Sequence, residues 1–218
     1  VIRVVVTAGP SYEPIDDVRR LTNFSTGELG MGLADRLAAD GFDVTCLRGV
    51  ASTHPGPLQQ AASVPFTTND DLLAQLQRSR GEDVGAVFHA AALCDYRVSR
   101  VVDATGQSVG AAKIESRGGG LTIQLEPALK LIGELRTLFP KALLVGWKYE
   151  LVGSREDAMA KAWRQIRDNR TDACVVNGRA YGPGFGVCRP PDRVTDLAGK
   201  RELIEFLSGW LKSARAGD

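Results

Sequence analysis

Apolar positions along this chain alternate between two rhythms, short unbroken runs and helical stripes. Ile2-Arg3-Val4-Val5-Val6 is a β-branched run of the kind that forms a strand buried on both faces. From Leu29 to Ala39 the apolar residues Leu29, Leu33 and Leu37 recur at helical spacing, with Gly and Ala between them. Gly41 ends that helix, and 42–47 is a second strand, so strand, helix and strand predict a right-handed crossover and a parallel sheet. Val64-Pro65-Phe66-Thr67 predicts a short strand whose proline assigns it to an edge. Thr68, with Asp71 three residues on, caps a helix through Leu72, Leu73, Leu76 and Gln77. Residues 85–92 predict a third central strand, 128–139 a helix, 143–147 a fourth strand, 154–169 a helix and 173–177 a fifth strand. A hairpin over 185–197 and a last amphipathic helix over 200–212 follow. The stretch 97–126 breaks the rhythm. Its alternating valines and scattered glycines predict a β-rich excursion with a mobile loop.

This pattern is an α/β, Rossmann-like doubly wound fold with a mostly parallel sheet, in one domain over residues 1–218. Composition narrows the function. Lys plus Arg number 27 against 26 for Asp plus Glu, so the net charge of +1 is no footprint of a nucleic-acid binder. The apolar runs are strand-sized rather than membrane-spanning, and the first residues lack the pattern of a secretory signal. Cys46, Cys94, Cys174 and Cys188 are far apart, with no C-x-x-C, as expected of reduced core thiols. A cytoplasmic protein is expected.

Chemistry concentrates where strands end. Thr7-Ala8-Gly9, His89-Ala90-Ala91-Ala92 and Asn177-Gly178 each close a strand on small or polar residues, and in doubly wound sheets ligands sit beyond those ends. Asn23-Phe24-Ser25-Thr26-Gly27 runs into the first helix, whose free N–H groups would attract an anion. The glycine spacing is neither that of a dinucleotide fingerprint nor that of a P-loop. Each feature also has an ordinary structural role: Asn23 as a turn or cap, Arg19 and Arg20 as a solvated pair, Lys113 as an exposed lysine, His89 as a satisfied core histidine. Glu150 could orient a ligand or pair with Lys148.

The order of segments is more specific. V-T-A-G-x5-I-D-x-V-R with N-F-S-T-G-x-x-G, then A-A-x-x-D-Y-R, K-I-x-S, V-G-W-K-x-E and V-V-N, resembles phosphopantothenoylcysteine synthetase over residues 3 to about 178. The resemblance implies a ligase of coenzyme A biosynthesis, here expected to stand alone. It would join 4′-phosphopantothenate to cysteine through an acyl-nucleotidylate, with CTP or ATP as the nucleoside triphosphate, Mg²⁺ on the phosphates and a homodimer as the working unit. It implies catalytic roles for Asn23, Arg19 and Lys113. Asn23 would donate to the acyl oxygen, Arg19 would handle the intermediate, and Lys113 would reach it from the mobile loop. Ala90, Ala91 and Asp95 would bind the nucleotide, with Trp147 in the place of a flanking aromatic and His89 and Lys148 beside them. Gly9 and the backbone of Ser25, Thr26 and Gly27 would cradle phosphate.

Departures bear on the nucleotide. The K-x-x-x-K of CTP-dependent bacterial members is Gln165 and Asn169 here, Asn-Pro-Asp is Ala128-Leu129-Lys130, A-A-E-T is Lys148-Tyr149-Glu150-Leu151, and the second lysine of K-I-K is Glu115. Lys148, Lys130 or Lys161 could supply the missing charge. Two other readings stand beside the ligase: a non-catalytic relative binding a nucleotide or phosphopantetheine-like ligand, and a nicotinamide-dependent short-chain oxidoreductase, for which no Tyr-x-x-x-Lys occurs.

Overall fold

The computed structural model describes residues 1–81, 83–110, 113–115 and 119–215. The β-branched runs form the expected central strands: β1 (Arg3–Ala8), β4 (Asp43–Gly49), β6 (Val84–His89), β9 (Leu143–Tyr149) and β10 (Ala173–Asn177). With the edge strand β5 (Ala62–Phe66) they lie in the order β10-β9-β6-β1-β4-β5, all parallel. The hairpin β11 (Phe185–Arg189) and β12 (Arg193–Leu197) extends the sheet beyond β10 in antiparallel sense. The chain reverses direction across the sheet between β1 and β6, and ligands of such sheets sit at that switch point.

Both faces are covered, which is why the central strands are apolar without alternation. Val4, Val6, Phe88, Val145 and Val175 pack under α1 (Glu28–Ala39) and α5 (Lys200–Arg215), on Leu33, Leu37, Leu203, Leu207 and Leu211. On the opposite face Val5, Val87 and Leu144 meet Leu72 and Leu76 of α2 (Asn69–Ser79) with Leu131, Leu135 and Phe139. A third cluster joins Ala158, Ala162 and Ile166 of α4 (Arg155–Asn169) to Cys174, Val176 and Cys188. Thr68 caps α2 as read, accepting from Asp71 N, and Ser154 with Asp157 forms a reciprocal capping box at the start of α4. All four cysteines are free thiols.

The sequence reading differs from the structure in three places. The expected helix over 128–139 is two short turns, a 3₁₀ turn Leu131–Gly133 and α3 (Leu135–Leu138). Its apolar spacing is real, since Leu131, Leu135 and Phe139 are all buried. Ala128 N is held by Asp95 O, Lys130 is extended, and Gly133 interrupts the run, so no continuous helix forms. The polar loop after β1 contains a small hairpin, β2 (Tyr12–Pro14) and β3 (Arg20–Thr22). The third central strand stops at His89 rather than at residue 92. The excursion is a two-stranded ribbon, β7 (Tyr96–Val102) and β8 (Thr122–Pro127), as its alternation implied. The glycine-rich stretch placed beside Lys113 lies partly outside the described residues, at 117 and 118.

Candidate functional site

At the switch point the chain continues past both strand ends and keeps pairing. Pro10 bridges to Ala92, Ala92 N donates to Gly9 O, and Ser11 N donates to Ala92 O. This short seam separates two concavities.

On one side, a crevice forms from the ends of β1 and β4 and the start of α1. Gly27 caps α1 at φ 83° with no side-chain hydrogen bond, which leaves first-turn amides for an anion. Gly9, at φ 78°, lies against it: a Cβ on Gly9 would stand 1.8 Å from Ser52 Oγ, and one on Gly27 would stand 3.3 Å from Gly9 Cα. Ser52 Oγ is itself buried with no hydrogen-bond partner among the described residues. Thr26 Oγ1 accepts from Glu28 N, and Thr26 O accepts from His54 N. Gly9 and Gly27 of the expected group meet at one crevice, with Ser25 half-buried and Thr26 exposed beside them.

On the other side, a cleft of about 570 Å³ opens between the ends of β6 and β9 and the face of α4. His89, Ala91, Asp95, Trp147 and Lys148 from the sequence reading all line it, joined by Leu131, Ile132, Glu150, Lys161 and Gln165. Ala90 sits just behind, its N–H held by Thr7 O. Apolar and aromatic walls with a lysine-bearing rim suit a base with a phosphate tail. Trp147 Nε1 is a buried donor with no partner among the described residues. Asp95 forms an ion pair with Lys130 at the rim, a residue that takes the place of an acidic one in the pattern the chain otherwise follows.

His89 is 7% exposed and bonds Thr7 Oγ1 through Nδ1 at 3.0 Å. That hydroxyl also accepts from Ala91 N, so the His89 ring, the Thr7 hydroxyl and the Ala91 amide form one buried hydrogen-bonded chain. Burial pushes the imidazole pKa down to about 4, so His89 is neutral at pH 7 and positions the β6 end rather than acting as a base. The unfolded chain binds the proton near pH 6.5 and the folded chain only near 4. Stability from this residue therefore rises with pH across that window. Denaturation of wild type and His89→Gln should show their stability difference changing by about 3 kcal/mol between pH 7 and pH 4.

Asn23 ties the two sides together. Its Nδ2 donates to Ala92 O at 3.1 Å and Leu93 O at 3.0 Å, so both amide protons are engaged. Donation to an acyl oxygen, as the resemblance implied, needs one of these bonds to open when substrate arrives. Arg19 and Lys113 form a third group. Asp16, with a carboxylate 0% exposed, accepts from Val18 N, Arg19 N, Arg19 Nη1 and Ile114 N, while Arg19 Nη2 donates to Ile114 O at 3.0 Å. Burial alone would raise the Asp16 pKa, but the N–H groups of Ile114, Val18 and Arg19 and the guanidinium charge together lower it. Lys113, next to this clamp, is exposed. Asp16 was visible in the sequence only as part of I-D-x-V-R. The Glu150–Lys161 pair, 11 residues apart on different elements, carried no local signal.

Among the described residues no three His, Cys, Asp or Glu side chains cluster so as to hold a metal ion. No helix is long and apolar enough to cross a membrane.

Comparison with known proteins agrees with the segment order. A family model described as the DNA/pantothenate metabolism flavoprotein C-terminal domain matches residues 2–205. The coenzyme A biosynthesis bifunctional protein CoaBC of Thermococcus kodakarensis is 33% identical over 215 residues, which cover 94% of this chain and 49% of that protein. The chain spans about half the length of the curated relatives it matches. The crystal structure of the DNA/pantothenate metabolism flavoprotein from Streptococcus pneumoniae aligns with a TM-score of 0.85 at 22% identity, over 98% of this chain and 100% of that one. A Cab2 variant in complex with phosphopantothenate-cysteine aligns at 0.75 and 18%, over 99% of this chain and 89% of that one. These likenesses share the mostly parallel sheet and its flanking helices. With the family model matched across nearly its whole length, the chain belongs to the DNA/pantothenate metabolism flavoprotein C-terminal domain family.

Proposed function

We propose that this chain is a cytoplasmic ligase that joins 4′-phosphopantothenate to cysteine in coenzyme A biosynthesis, by way of an acyl-nucleotidylate. The observation that carries the reading is the pairing of an anion cradle with a lysine-rimmed, aromatic cleft across one seam, in a chain of this family. The CoaBC relative is a coenzyme A biosynthesis protein, and the Cab2 variant is in complex with phosphopantothenate-cysteine, which supports the same reading.

The chemistry has two steps. The pantothenate carboxylate attacks the α-phosphorus of the nucleotide, a P–O bond forms, and pyrophosphate leaves with the electrons of the broken P–O bond. The cysteine amine then attacks the acyl carbon, the C–O bond to the nucleotide breaks, and the amine proton passes to solvent or the released nucleotide. The first step brings two anions together. At 4 Å that costs about 1 kcal/mol in water but about 4 kcal/mol at an effective dielectric of 20. Cations and N–H donors must offset it where charge develops. In this reading the α1 cradle holds a phosphate and the apolar cleft, with Trp147, Ala91 and Asp95, holds the base and ribose. Asn23 turns one amide proton to the acyl oxygen, and Arg19 and Lys113 close over the intermediate from the clamped loop. A divalent ion would travel on the triphosphate, since the described residues do not form a cage for it. The base is CTP's or ATP's.

A homodimer completes the reading. Val18, Leu21, Phe24, Tyr96, Leu121 and Leu125 are exposed on or beside the β2–β3 hairpin and the β7–β8 ribbon. Such two-stranded ribbons need cover to be stable. Sedimentation equilibrium should give twice the 23.4 kDa chain mass, and a monomer at micromolar concentration would remove the dimer from the proposal.

A coupled pyrophosphate assay with CTP, ATP, GTP and UTP tests the ligase. Release should require phosphopantothenate, cysteine and one nucleotide together. Folded protein that releases none with any of the four would overturn it.

A further inference from the structure

The ligase reading leaves a gap in charge. Helix α4 carries Gln165 and Asn169 where a lysine pair would face the nucleotide, and the structure shows these amides turned to the protein. Gln165 Nε2 lies 3.3 Å from Cys174 Sγ and packs over Gly146, where a Cβ would stand only 2.5 Å away. Asn169 Nδ2 donates to Gln165 O at 2.8 Å. Each amide already spends one donor within the protein, and neither carries the charge of a lysine.

Lys161 lies on the same face, four residues before Gln165, and all three residues line the cleft. Its Nζ is 2.5 Å from Glu150 Oε2, and Lys148 Nζ is 3.9 Å from Glu150 Oε1. The Glu150 side chain is only 14% exposed, and its backbone is fixed on both sides: Glu150 N donates to Asn177 O, and Glu150 O accepts from Ala180 N. One immobile carboxylate therefore gathers two lysines from β9 and α4 into one wall of the cleft, leaving the group with a net charge of +1. Lys130, the other candidate, is paired with Asp95 at the rim.

We propose that Lys161, gathered with Lys148 onto the carboxylate of Glu150, is the cation that binds the polyphosphate tail of a nucleoside triphosphate in this chain, a proposal that rests on the ligase reading. Glu150 is a positioning residue. The charge moves one helical turn, about 6 Å, along α4 from the place the lysine pair would occupy. The leaving pyrophosphate is then received by the β9–α4 wall, and the amides at 165 and 169 are left to pack the sheet.

The test is calorimetric titration of the full chain with a triphosphate and the monophosphate of the same base, CTP against CMP and ATP against AMP. Wild type should prefer the triphosphate. Lys161→Ala should cut that preference by about tenfold or more, the worth of one charge-assisted hydrogen bond, with monophosphate affinity held within about twofold. Lys161→Arg should retain most of it. Glu150→Gln should raise the KM for nucleotide several-fold while the KM for phosphopantothenate stays put. The double variant Glu150→Ala with Lys161→Ala, which leaves no orphaned carboxylate, should lose the preference as Lys161→Ala does. An unchanged preference in Lys161→Ala and the double variant, in a protein that still releases pyrophosphate, overturns this assignment alone. Wild type that binds no nucleotide overturns the ligase reading and the assignment with it.

Discussion

Asn23→Asp is expected to lower kcat for pyrophosphate release by about 10²–10³-fold while nucleotide affinity stays within about threefold. The substitution keeps shape and exchanges an NH₂ for an anionic oxygen. In the structure that NH₂ spends its two protons on Ala92 O and Leu93 O. A carboxylate there would face two carbonyl oxygens at about hydrogen-bonding distance, with no proton between them, and would be repelled. The loop leading into α1 would lift from the seam, and the donor proposed for the acyl oxygen would be gone. The cleft proposed for the nucleotide is lined mainly from β6, β9 and α4, so binding there should survive. Steady-state kinetics with a parallel nucleotide titration separate the two effects. Equal losses of turnover and nucleotide affinity would mean that Asn23 belongs to the cleft instead.

Gly178→Ala is expected to be the most damaging single substitution for stability near the site. Gly178 sits at φ 110°, and a Cβ would stand 2.3 Å from Glu150 O and 2.8 Å from Glu150 N, backbone atoms that cannot swing aside. The cost should exceed about 3 kcal/mol, a fall in Tm of about 6–12 °C for a domain of this size. Gly182 is the control. It has φ 101° but nothing within 4 Å of its virtual Cβ, so Gly182→Ala carries only the conformational penalty of about 1–2 kcal/mol. The difference in melting temperature between the two variants isolates the clash. Because the clash falls on Glu150, nucleotide affinity of the folded fraction should drop as well.

What could be read in the sequence follows from range. Strands such as Val4–Val6 and Val175–Val176 were legible because burial on both faces writes an unbroken apolar run. The cap at Thr68 was legible because its partner Asp71 lies three residues on. Residues 128–139 misled because their buried spacing at Leu131 and Leu135 is helical, while the backbone is dictated by Asp95 O and by Gly133. The cleft set His89, Ala91, Asp95, Trp147 and Lys148 was placed by the order of segments and is brought together by the sheet. Glu150 with Lys161, Asp95 with Lys130, and Asp16 with Ile114 are contacts between elements far apart in the chain, and only tertiary structure reveals such partners.

The clamp on Ile114 recognises main chain alone. Asp16 takes its N–H and Arg19 its carbonyl, so an ion pair reads one peptide unit much as a neighbouring strand would. Side chains on either side of Ile114 are thereby released from the task of docking the loop. In the proposed reading, Lys113 and Glu115 are thus open to exchange that would retune what they offer a substrate, while the mooring at Ile114 stays the same.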